Sequence, residues 1–68
     1  MKLLNSYYIL DTDGHELPSV EILSSDGVYF IDNLDLGTEV MVESLSAARD
    51  VARALRNRNQ RNYNKANV

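Results

Sequence analysis

Sixty-eight residues with no cysteine and a single histidine leave room for one small core, and they exclude a disulfide framework or a transition-metal set built from Cys and His. Hydrophobic residues make up 44% and charged residues 25%, the balance of a folded chain rather than a disordered one. The net charge of −3 conceals an asymmetry: residues 1–43 carry nine acids against Lys2, whereas residues 44–68 carry six bases against Asp50.

In chain order, Tyr7-Tyr8-Ile9-Leu10 is an aromatic, β-branched run that stops at Asp11-Thr12-Asp13-Gly14, a cluster suited to a turn because Asp bonds nearby backbone and Gly accepts positive φ. Pro18, which has no backbone donor, marks the entrance of a second strand starting near Ser19 and running through Val20-Glu21-Ile22-Leu23. Ser24-Ser25-Asp26-Gly27 then turns the chain into Val28-Tyr29-Phe30-Ile31, which forms an antiparallel hairpin with the second strand. Asn33 to Gly37 reads as a loop. Thr38-Glu39-Val40-Met41-Val42 alternates polar and apolar residues as a fourth strand does, although an extended connection has the same pattern.

Ser44 is a helix N-cap, with Glu43 on the favourable side of the helix dipole. Leu45, Ala48, Val51, Ala52 and Leu55 recur at helical spacing and predict an amphipathic helix from Leu45 to Asn57, with Arg49, Arg53 and Arg56 on a neighbouring stripe. The expected class is α+β: an antiparallel meander of three or four strands followed by one C-terminal helix packed on one face. It forms a single domain over 1–58, and residues 59–68 are an Asn-rich basic tail that composition predicts to be flexible.

Splitting the strands by alternation assigns Tyr8, Leu10, Val20, Ile22, Val28, Phe30, Val40 and Val42 to one face, and Tyr7, Ile9, Leu23, Tyr29, Ile31 and Met41 to the other. Both faces are apolar, and one helix covers one of them. The second set, with Tyr7, Ile9, Tyr29, Ile31 and Met41 at its centre, is therefore the expected partner or dimer surface, unless Leu3, Leu4, Leu34 or Leu36 fold over it. A homodimer is the simpler form of such contact, since a lone core of this size rarely supplies more than about 3–5 kcal/mol. Another protein is the alternative.

Catalytic and metal motifs are weak. Asp11-Thr12-Asp13-Gly14-His15-Glu16 has the flavour of a calcium loop, but aligning Gly14 with the loop glycine puts Ile9 and Val20 where the first and last acidic ligands belong. His15 has no second histidine or cysteine to join. Ser24, Ser25, Ser44 and Ser46 occupy turn and cap positions without a glycine-flanked elbow, and the dispersed glycines build no phosphate loop. The expectation is a protein with no catalytic residues, no metal and no cofactor.

Arg49, Arg53, Arg56 and Arg61, interleaved with Asn and Tyr63, form a second candidate surface, for nucleic acid or an acidic partner. A third reading makes the acidic first 43 residues a mimic of a phosphate backbone. A structural role in a larger assembly is a fourth. Met1 to Ser6 lacks the apolar core of a signal peptide, and no stretch reaches membrane-spanning length, so a cytoplasmic protein without membrane contact is expected.

The succession of Tyr7-Tyr8-Ile9, Asp-Gly turns, and Glu43-Ser44-Leu45 opening a helix with Ala48, Ala52 and Leu55 resembles that of many short accessory proteins of phages and prophages. Such proteins often bind and inhibit host components, including restriction and CRISPR machinery. The resemblance implies a binding role and carries no site residues with it.

Overall fold

Three reverse turns order the sheet. In the computed structural model, which describes Met1–Val68, strands β1 (Lys2–Leu10), β2 (Glu16–Ser25), β3 (Val28–Asn33) and β4 (Thr38–Val42) form one antiparallel sheet in the order β1-β2-β3-β4, and helix α1 (Leu45–Ala66) follows. The expected α+β meander with one C-terminal helix is the architecture found, including the fourth strand.

The β2–β3 connection is tighter than its composition suggests. Ser25 pairs with Val28, leaving Asp26 and Gly27 as a two-residue loop with φ of 51° and 81°. Positive φ at both positions matches the right-handed twist of the flanking strands, and Asp followed by Gly tolerates it. β1 and β2 are also longer than expected, because Lys2 to Ser6 pairs with Glu21 to Ser24 and Tyr8 to Leu10 pairs with Glu16 to Pro18. Pro18 lies inside β2, opposite Tyr8, where the register shifts between Tyr7 and Tyr8. A bulge is where a sheet accommodates a residue that has no N–H to give.

Ser44 caps the helix as expected, its hydroxyl accepting the Ala47 amide at 3.1 Å. Val20, Ile22 and Ile31 from the sheet meet Ala48 and Ala52 from the helix in a fully buried core. The two alanines let the helix axis lie close to the strands, and Leu4, Tyr7, Tyr29, Val42, Val51 and Leu55 close the margins.

The helix does not end near Asn57. It continues to Ala66, through the segment whose composition predicts a flexible tail, because that segment is bonded to the sheet. Gln60 pairs with the backbone of Leu10 in both directions, accepting its N–H at 2.7 Å and donating to its carbonyl at 2.9 Å. Arg56 donates to the Tyr8 carbonyl at 2.7 Å, and the Thr12 amide donates to the Tyr63 hydroxyl at 3.3 Å. Together they occupy backbone groups near the end of edge strand β1, which otherwise would be open to pairing with another chain. Deeper in, the buried Asn59 amide donates to Ser19 Oγ at 2.8 Å and to Asn33 Oδ1 at 3.0 Å, tying the helix to β2 and β3.

Candidate functional site

The face turned away from the helix is built of transverse rows. Antiparallel register brings Leu3, Leu23, Phe30 and Met41 side by side, one from each strand. At roughly 4.8 Å between strands, this apolar row is about 14 Å long. Leu23 and Phe30 in the middle are half-buried by their neighbours, while Leu3 is 52% exposed at one end and Met41 59% exposed at the other. No element covers them.

About 7 Å away, two residues along β2, β3 and β4 and three along β1, where the register shifts between Leu3 and Asn5, Ser6, Glu21, Asp32 and Glu39 form the next row. Three carboxylates on adjacent strands thus stand directly opposite one another, an arrangement that costs stability. None of the three takes part in an ion pair. The Asp32 carboxyl beside Glu39 raises the Glu39 pKa above its ordinary value, first because a protonated Glu39 can donate to Asp32, then through desolvation and charge repulsion. Oδ1 of Asp32 is shielded from solvent with no hydrogen-bond partner. At the end of this row a depression of about 270 Å³, lined by Asp32, Asn33, Leu34, Gly37, Thr38 and Glu39, opens beside the β3–β4 turn.

This geometry corrects the expected division of faces. The register pairs Ile22 with Ile31 and Leu23 with Phe30, so Ile31 shares a face with Ile22, and that face lies under the helix. Ile31 is 0% exposed and Ile9 3% exposed. Tyr7 and Tyr29 pack against the core. Of the five residues expected as a partner surface, Met41 alone lies on the open face; Leu3, Leu23 and Phe30 are the residues that accompany it. Grouping Phe30 with Ile22 fails because residues paired across strands share a face, and here an even-numbered residue pairs with an odd-numbered one. The missed signal was charge. Glu21, Asp32 and Glu39 alternate in step with Leu23, Phe30 and Met41, and three carboxylates identify the face that a helix does not bury.

The bases of the helix differ in what they bond and in where they stand. Arg53 donates to Asp50 at 2.7 Å and Arg56 is engaged with Tyr8. Arg49 is exposed, and at 3.6 residues per turn Arg61 lies roughly 120° around the helix from it. Arg49, Arg53 and Arg56 thus share one stripe, within about 60° of one another, and Arg61 stands apart from it.

The β1–β2 turn gathers Asp11, Asp13 and His15, whose potential ligand atoms lie within 4.8 Å of one another. Turn geometry accounts for the cluster. Asp11 Oδ1 accepts the Asp13 amide at 2.9 Å and the His15 amide at 2.8 Å, and these bonds, that of His15 foremost, hold its carboxyl below the usual carboxylate range.

No helix of the chain is long and apolar enough to cross a membrane. The chain matches no protein family, no curated protein and no solved structure. What defines the class of molecule is thus its own architecture: a small α+β protein with a helix-covered face and an open face that is apolar in one row and acidic in the next.

Proposed function

We propose that this chain is a small non-catalytic protein-binding module that acts by laying the open face of its sheet on a partner and occluding the surface it covers. The observation that carries this reading is the uncovered row Leu3, Leu23, Phe30 and Met41. A contiguous apolar strip on a surface otherwise rich in charge is a mark of interaction sites, and Met and Phe are types enriched in them. Occlusion needs no pocket and no reactive group. Inhibition of the partner is the outcome such a contact most directly produces.

The test is a paired selection. Peptides from a displayed random library are selected on the intact chain and then measured against the Phe30→Asp variant, with Met41→Glu as a second variant at a more exposed position. Ligands of the wild-type chain are expected to lose binding to both variants while circular dichroism stays native. Ligands that bind wild type and both variants equally contradict the reading.

A further inference from the structure

Resting on that reading, we infer that the open face takes a polypeptide segment that is apolar on one side and carries lysine or arginine beside its apolar residues. The two rows are adjacent and parallel. Any segment whose apolar side chains settle on Leu3, Leu23, Phe30 and Met41 brings its flank within about 7 Å of Glu21, Asp32 and Glu39. A flank of acids there adds like charge to a row already opposed across strands; a neutral flank covers three carboxylates without pairing them; a basic flank neutralises them. Desolvated acids without partners oppose binding, so the row selects for cations as well as attracting them.

The face itself supplies no cation. The helical bases lie behind the sheet or along its β1 edge, and Lys2, which pairs with Ser24, alternates to the helix side. This also argues against a second copy of the chain as occupant. Two open faces stacked apolar row on apolar row set the acids of each copy against either the same acids or the row containing Ser25, Val28 and Glu43. The outer surface of a second copy's helix brings Arg49, Arg53, Arg58 and Arg61, but its exposed positions include no large apolar side chain to cover Phe30 and Met41. Nucleic acid, which is uniformly anionic, is repelled from this face. A basic, partly apolar polypeptide satisfies both rows.

The same displayed-library selection tests this through a different readout. Peptides that depend on Phe30 and Met41 are sequenced, and the tightest is measured against Glu21→Gln, Glu39→Gln and the double variant over a range of salt. The expected result is enrichment of Lys and Arg next to Leu, Ile or Phe, with affinity falling about tenfold in the double variant and weakening as salt is raised. Phe30-dependent peptides with no excess of Lys or Arg, or with unchanged affinity for the double variant, overturn the basic partner while leaving the docking face intact. Peptides indifferent to Phe30 and Met41 overturn both. A wild-type chain that is a stable dimer by light scattering, and a monomer as Met41→Glu, assigns the face to a second copy and overturns the inference as well.

Discussion

Replacing Asn59 by alanine tests how the last part of the helix is held. The side chain is only 2% exposed, and it bonds Ser19 Oγ at 2.8 Å and Asn33 Oδ1 at 3.0 Å. Each bond contributes about 0.5–1.5 kcal/mol net, and truncation also leaves the Ser19 hydroxyl and the already unpartnered Asn33 Nδ2 facing a small void. Against this, alanine gains up to about 0.7 kcal/mol in helix propensity over asparagine. The expected loss is roughly 2 kcal/mol, which for a domain of this size lowers the melting temperature by about 8–16 °C. It is also a large share of the ~3–5 kcal/mol that so small a core supplies. Thermal melts and urea titrations followed by circular dichroism measure it, with the exposed Asn62→Ala as control. A melting temperature for Asn59→Ala within 2 °C of wild type refutes the claim that this buried amide anchors the helix (an unstable control variant would point instead to a general effect of side-chain loss).

Gln60→Ala removes both bonds to the Leu10 backbone; because water replaces them, the expected loss is about 1 kcal/mol, and hydrogen exchange at the Leu10 amide should accelerate while exchange at Ile22 and Ile31 changes only by the global loss. Ser44→Ala deletes the hydroxyl that accepts the Ala47 amide and should cost about 1 kcal/mol in urea titrations. Glu39→Gln acts through charge. The folded chain holds the Glu39 proton more tightly than the unfolded chain does, because of Asp32, so the stability of the native protein falls as pH rises from the ordinary glutamate range, about 4.3, through the raised folded value. The variant should be more stable than wild type at neutral pH and indistinguishable from it below that range; a variant less stable at neutral pH contradicts the reading of the row. If the acids serve binding, the same substitution stabilises the fold and weakens the contact, a trade-off common at functional surfaces.

The elements were largely legible, and for local reasons. Val28-Tyr29-Phe30-Ile31, the Asp26-Gly27 turn, the alternation of Thr38 to Val42 and the Ser44 cap each carry their own instruction in side-chain shape or backbone preference. What was hidden depended on partners distant in the chain. Asn59, Gln60 and Tyr63 read as a loose polar tail until Ser19, Asn33, Leu10 and Thr12 are placed beside them, and those tertiary bonds override weak helix propensity. The identity of the open face was obscured because both faces are apolar, so hydrophobic alternation cannot choose between them. The alternation of Glu21, Asp32 and Glu39 does choose, and it was present in the sequence throughout. The Arg stripe was legible from helical spacing, whereas the bond of Arg56 to the Tyr8 carbonyl, a partner 48 residues away, was not.

The most direct test of the docking face is an amide chemical-shift map of the intact, isotope-labelled chain titrated with the tightest Phe30-dependent peptide. The account predicts that the largest shifts fall on Leu3, Glu21, Leu23, Phe30, Asp32, Glu39 and Met41, with Arg49, Arg53 and Arg58 on the helix unmoved. Shifts concentrated on the outer surface of the helix, with the open face silent, would contradict it.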